Sequence, residues 1–141
     1  GGTVANAIPE HAWCKVDVRF SKQSGIERID KDFQAIAKKQ YVDHTVTHLK
    51  PLIRFGAMEQ LPGTLPLFEK AQAVAKQCGF PEMKAIAVGG ASDSTFLTMC
   101  GVPTLCALGV KGQFNHTERE WADQASLFER CKLLMTFLSE L

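Results

Sequence analysis

The stretch that decides the fold, residues 85–120, reads AIAVGGASDSTFLTMCGVPTLCALGVKGQFNHTERE. The apolar run at 84–88, where this stretch starts, predicts a short strand, and the pair Gly89 and Gly90 permits a tight turn after it. A short helix is predicted next, because Ser92 or Asp93 can cap its first turn. The N-terminus of such a helix presents backbone N–H groups, which bind anions well.

A second strand and a polar loop follow in the same stretch. Gly101 and Pro103 break the helix, residues 104–108 are predicted to form a strand, and His116 is the only histidine in the loop 109–123. Loops at the C-terminal ends of strands are where α/β proteins place binding and catalytic groups. The pattern therefore predicts an α/β architecture with its chemistry near His116.

Periodicity in the first part of the chain predicts a strand, a helix and a strand. Residues 13–20 alternate between apolar and polar, residues 26–40 carry apolar side chains at helical spacing, and residues 41–55 return to β character. Residues 56–66 are rich in glycine and proline. We interpret this change of composition as the crossing between two domains.

Helical spacing returns twice in the second part of the chain. Residues 65–78 are predicted to form a helix that ends at Gly79, and residues 124–141 are predicted to form the last helix. The inward side chains of the first of these helices are predicted to be Leu67, Phe68, Ala71, Val74 and Ala75. Those of the last helix are predicted to be Leu127, Cys131, Leu134, Met135 and Leu138.

Six short motifs follow one another along the chain. They are GGT at 1–3, NAIP at 6–9, DVRF at 17–20, GGASD at 89–93, GVPT at 101–104 and NHT at 115–117. Their order and spacing resemble the C-terminal part of the zinc-dependent hydrolase family that includes glutamate carboxypeptidases, aminoacylases and succinyl-diaminopimelate desuccinylases. The resemblance extends over nearly the whole chain.

This resemblance implies an α/β fold built from parts of two domains. Residues 1–58 would be half of a ferredoxin-like lid, or dimerisation, domain, and residues 59–141 would be the C-terminal part of the catalytic α/β sandwich. The chain begins with Gly1 and Gly2 inside a recognisable motif. We therefore expect the true N-terminus to lie upstream.

The resemblance implies that His116 binds one of the two zinc ions of the intact enzyme. From spacing alone, a solvated loop histidine remains the alternative. The other histidines, His11, His44 and His48, have no comparable support as ligands, and we interpret His44 and His48 as exposed lid residues. Because the family's other zinc ligands and its general-base glutamate have no counterpart here, we expect this chain alone to be inactive.

The resemblance also implies a set of substrate-binding residues. Arg19 would grip a substrate carboxylate, and Asn6, thirteen positions earlier, would bind a carbonyl or oxyanion. In the family these two residues often serve the neighbouring subunit, which implies a homodimer through the lid. Gly89, Gly90 and Ala91 would line the carboxylate pocket. On the alternative interpretation these positions are turn, surface and packing residues.

Composition excludes several classes of partner. A net charge of +1 with interspersed acids and bases argues against nucleic acid and anionic membranes as partners, and no apolar run is long enough to span a membrane. Five cysteines at irregular spacing favour reduced thiols and a cytoplasmic location over a disulfide framework.

Three functional hypotheses remain open. The first is a glutamate carboxypeptidase-like zinc hydrolase that cleaves a small peptide or an N-acyl amino acid by metal-activated water. Ala91 stands where desuccinylases of the family favour a hydroxyl residue, so a carboxypeptidase or an aminoacylase is preferred. The second is a non-catalytic dimerisation or binding module. The third is a small thiol enzyme that uses Cys106 with His116.

Overall fold

Four α-helices and one two-stranded sheet make up the regular structure of residues 1–51 and 54–141, the residues that the computed structural model describes. In chain order the elements are α1 (Gln23–Lys38), α2 (Thr64–Gln77), α3 (Ser94–Met99), β1 (Gly112–Gln113), β2 (Trp121–Ala122) and α4 (Gln124–Ser139). The two strands are antiparallel, with Gly112 opposite Ala122 and Gln113 opposite Trp121.

The side chains buried at the centre of the core come from α2 and α4. Ala71, Val74 and Ala75 of α2 pack against Leu133 and Phe137 of α4. The two alanines are small, so the helix backbones can approach closely around Val74 and Leu133, each only 1% exposed. The predicted inward face of α2 is confirmed at these three α2 positions.

The C-terminus of α2 is stopped as the sequence predicts. Gly79 has a φ of +77°, a conformation that residues with a Cβ rarely adopt. Its N–H donates to the Lys76 carbonyl at 3.0 Å, and the N–H of Phe80 donates to the Ala75 carbonyl at 2.9 Å. This is a Schellman motif, and it turns Phe80 back against the core.

The predicted inward face of α4 is wrong by about one residue along the helix. Ser126, Leu133 and Phe137 are buried, whereas Met135 is 73% exposed and Leu138 is 65% exposed. Leu127 and Cys131, also predicted to be inward, are exposed too, whereas Leu134, the remaining predicted position, is half-buried. Apolar side chains occur on both faces of α4, so helical spacing alone cannot decide which face meets α2.

A polar contact helps to decide which face of α4 is buried. The Ser126 hydroxyl donates to the Asp123 carbonyl at 2.6 Å and accepts the Lys111 N–H at 2.9 Å. The Asp123 carboxylate caps the helix by accepting the N–H of Ala125 at 3.0 Å. These bonds fix the first turn of α4 against the backbone next to β1. The first turn then sets which face of the rest of the helix is buried.

The helix predicted at 26–40 is confirmed as α1, which begins and ends slightly earlier. Its apolar face is half-buried at Ile26, Ile29 and Phe33, while Ile36 is 54% exposed. Gln23 connects α1 to the following segment. Its N–H donates to a Glu59 carboxylate oxygen at 2.7 Å, and its side-chain oxygen accepts the Ala57 N–H at 3.2 Å.

The strands predicted at 13–20, 84–88 and 104–108 do not form in the described structure. The described residues of the range 41–55 form no strand either, and Leu52 and Ile53, which belong to that prediction, lie outside the described residues. A strand forms only when a neighbouring strand satisfies its backbone N–H and C=O groups. The helix and small sheet content is consistent with the predicted α/β class, whereas the ferredoxin-like lid and the division at residue 58 remain predictions.

The chain exposes an unusually large surface. Its accessible surface is 11880 Å², whereas a compact monomer of this mass exposes about 7,200 Å². Large apolar side chains, among them Trp13, Ile86 and Phe128, are more than two-thirds exposed. Among the described helices, none combines the length and the apolar character needed to cross a membrane.

Replacing Leu133 by Ala should lower the free energy of unfolding by about 2–5 kcal/mol, because the change leaves a cavity between α2 and α4. The matched control is Leu138→Ala on the exposed face of the same helix, which should change it by at most about 0.5 kcal/mol. Urea denaturation followed by circular dichroism measures both. A larger loss for Leu138→Ala would show that the other face of α4 is the packed one.

Candidate functional site

The side chain of Arg19 connects the N-terminal part of the chain to the glycine turn. Its Nη1 donates to the carbonyl oxygen of Gly89 at 3.4 Å, across 70 positions of sequence. Its Nε and Nη2 donate to the two carboxylate oxygens of Asp17, also at 3.4 Å. The side chain of Arg19 is 68% exposed, so its guanidinium can still reach a ligand carboxylate from solvent.

The glycine turn is open on the side away from Arg19. Gly90 and Ala91 are exposed, and apart from Gly90 and its two chain neighbours no atom of the described residues lies within 4 Å of where a Cβ on Gly90 would be. Helix α3 begins directly after this turn. Its first turn is held by Ser92, whose hydroxyl accepts the Ser94 N–H at 3.2 Å, whereas the Asp93 side chain makes no such bond.

Asn6 lies apart from this contact. It is exposed, in the turn that precedes Ile8 and Pro9. Its side chain forms no hydrogen bond with Arg19 or with the glycine turn in the part of the chain that the structure describes. The structure thus joins Arg19 to Gly89 and leaves Asn6 outside that pair.

His116 lies in the loop between β1 and β2, with its side chain exposed. Its backbone has a φ of +65°, in the left-handed region, and its N–H donates to a carboxylate oxygen of Glu120 at 3.0 Å. An exposed imidazole nitrogen can act as one ligand of a zinc ion.

The described residues do not complete a metal site. Within residues 1–51 and 54–141, no three His, Cys, Asp or Glu side chains are grouped so that they could hold a metal ion. Structural zinc takes four protein ligands and catalytic zinc takes three. His116 could therefore supply one ligand, but the described donor set does not fit a zinc ion by itself.

A contact between Ser92 and Cys106 was not predicted from the sequence. The Ser92 oxygen and the Cys106 sulfur lie 3.1 Å apart. Hydrogen bonds from Ser92, then from Ser94, hold the pKa of the Cys106 thiol below its usual value, although partial burial acts in the opposite direction. No signal in the sequence indicated this contact, because the strand predicted at 104–108, which contains Cys106, does not form in the described structure.

The first 45 residues match the family model described as the peptidase dimerisation domain, M20_dimer. The chain is also 24% identical, over 146 aligned positions, to carboxypeptidase G2 from Pseudomonas sp. (strain RS-16). That match covers 99% of this chain and 34% of the relative, so the chain spans about a third of the relative's length. No solved structure gives a significant match.

These similarities support a relationship to M20 peptidases, and they divide the candidate residues between two parts of the chain. Asn6 and Arg19 lie within the segment that matches the dimerisation domain. The glycine turn and His116 lie beyond it, where only the similarity to carboxypeptidase G2 extends. The contact between Arg19 and Gly89 therefore connects the dimerisation-type segment with the C-terminal segment.

Cys106 should react with iodoacetamide at lower pH than the other exposed cysteines, Cys14, Cys100 and Cys131, because its lowered pKa gives more thiolate near neutrality. Ser92→Ala should move the reaction of Cys106 toward higher pH, and Ser24→Ala, an exposed serine on α1, should not. Mass spectrometry of the labelled peptides gives the rate for each cysteine. Equal pH profiles for all four cysteines would contradict this prediction.

Proposed function

We propose that this chain is part of a zinc-dependent hydrolase that cleaves the amide bond of a small peptide or an N-acyl amino acid, in the manner of a glutamate carboxypeptidase. The observation that carries the proposal is the contact between Arg19 and Gly89. This contact brings together Arg19 and the glycine turn, both of which would bind a substrate carboxylate. The similarity to carboxypeptidase G2, along nearly the whole chain, supports the same function.

In this proposal the chain chiefly binds and orients the substrate. The guanidinium of Arg19 and the open glycine turn at Gly89, Gly90 and Ala91 receive the free carboxylate. Asn6 donates a hydrogen bond to the carbonyl oxygen on which negative charge develops. His116 would hold zinc as one ligand, with the other ligands supplied by the rest of the intact enzyme, and the chemistry gained would be activation of water.

We further propose that the protein is a cytoplasmic homodimer. The match of residues 1–45 to a dimerisation domain supports the homodimer. All five cysteines are free thiols, which supports a reducing compartment.

A dimerisation module without catalytic activity is the second candidate function. The specific observation in its favour is that the family match covers residues 1–45, while the described residues hold no metal cluster. The exposed apolar residue Ile36, on α1, lies in the matched segment. On this view Arg19 would stabilise the arrangement of the two segments and bind no substrate.

Replacing His116 by Ala in the full-length product of the gene should abolish zinc-dependent amidase activity. Loss of a zinc ligand should cost more than the roughly 10–100-fold that follows loss of an outer-shell partner. The measurement is kcat/KM on N-acyl glutamate substrates, with and without a chelator, alongside the metal content. His48→Ala, at another exposed histidine, is the control. Wild-type activity in His116→Ala would favour the dimerisation module.

Replacing Arg19 by Lys should raise KM by about ten-fold for a substrate with a free carboxylate, because lysine cannot bind a carboxylate through two parallel bonds. A substrate whose free carboxylate is replaced by an uncharged amide should already be turned over poorly. Arg19→Lys should leave that turnover almost unchanged. Arg28→Lys, at an exposed arginine of α1, is the control. An equal effect on both substrates would show that Arg19 does not recognise the carboxylate.

A further inference from the structure

The loop between β1 and β2, residues 114–120, is held by a dense set of its own hydrogen bonds. The Thr117 hydroxyl donates to the Phe114 carbonyl at 2.6 Å and accepts the Arg119 N–H at 3.3 Å. The N–H of Glu120 donates to the Thr117 carbonyl at 3.0 Å. The Arg119 guanidinium lies over the Phe114 ring, 4.8 Å from its centre. We call this segment the 114–120 loop.

Two residues of the 114–120 loop adopt a backbone conformation that is unfavourable for them. Phe114 has a φ of +61° and His116 a φ of +65°. Residues with a Cβ enter this left-handed region at an energetic cost, so surrounding contacts must hold them there. For Phe114 those contacts are the Thr117 hydroxyl and Arg119.

For His116 the holding contact is Glu120. Its carboxylate accepts the backbone N–H of His116 at 3.0 Å, four positions back in the sequence. A bond from an N–H to a carboxylate is stronger than one between neutral groups. The N–H of Glu120 is itself bonded to Thr117, so Glu120 is anchored at both its backbone and its side chain.

We propose that Glu120 is the positioning residue of His116. Its carboxylate fixes the left-handed backbone of His116, and this backbone sets the direction in which the imidazole leaves the chain. Glu120 acts through the main chain of His116 and is not itself a ligand. The backbone part of this proposal is independent of the proposed zinc hydrolase, whereas its consequence for metal binding rests on that function.

The backbone part is tested by NMR on the chain described here. Glu120→Ala should weaken the strong intraresidue contact between the amide and Hα protons of His116, which is characteristic of positive φ. It should also speed amide exchange at His116 by about two- to ten-fold, the effect of losing one exposed hydrogen bond. Glu120→Gln should restore both, because its amide oxygen can accept the same bond.

The matched control is Glu118→Ala, at an exposed glutamate of the same loop. It should leave the His116 signals unchanged, because the His116 N–H is bonded to Glu120. An unaltered His116 conformation in Glu120→Ala would overturn the proposal. Chemical shifts of Thr117 and Phe114 report whether the rest of the loop has remained folded.

The metal part is tested by zinc competition titration of the full-length product of the gene. Glu120→Ala should weaken zinc binding by about two- to ten-fold, the effect of losing the one hydrogen bond that holds His116, with Glu120→Gln and Glu118→Ala close to wild type. If Glu120→Gln weakens zinc as much as Glu120→Ala, Glu120 binds the metal directly and the positioning role is overturned. If His116→Ala does not weaken zinc binding, the proposed hydrolase function fails, while the backbone result for Glu120 stands.

Discussion

The packing of α2 against α4 is the contact on which the described structure depends. Val74 and Leu133 meet at its centre, and the residues most completely removed from water lie around them. The segment before α4 is fixed to this pair by polar contacts, through Ser126 to the Lys111 backbone and through the Glu129 carboxylate to the Lys111 ammonium at 2.7 Å. The 114–120 loop lies between Lys111 and α4, so the position of His116 depends on the same packing.

The helices could be predicted from the sequence, whereas the strands could not. The reason is that a helix and a strand form their backbone hydrogen bonds with different partners. A helix bonds within one segment, so the spacing in α2 and the glycine at position 79 were sufficient. A strand needs a partner elsewhere in the chain, and periodicity at residues 13–20 does not say whether one is present. The buried face of α4 was missed because Leu127 and Leu138 are as apolar as Leu133.

For the candidate site, too, the sequence indicated which residues to consider, and the coordinates were needed to show how these residues contact one another. Motif order indicated Arg19, the glycine turn and His116, but it could not show that Arg19 reaches the Gly89 carbonyl. Nor could it show the left-handed backbone of His116, since that conformation is readable from sequence chiefly where glycine occupies the position. The bond between the Glu120 carboxylate and the His116 backbone N–H was likewise visible only in the coordinates.

The two proposed functions make different use of the same exposed surface. The chain exposes 11880 Å², against about 7,200 Å² for a compact monomer of its mass, and many large apolar side chains are among the exposed residues. Dimerisation through residues 1–45 would cover only the part near α1, because Phe128 and Leu138 of α4 lie outside that segment. A dimerisation role therefore leaves the exposed face of α4 unexplained. Under the proposed hydrolase function, further protein would pack against both parts of the chain and cover both surfaces.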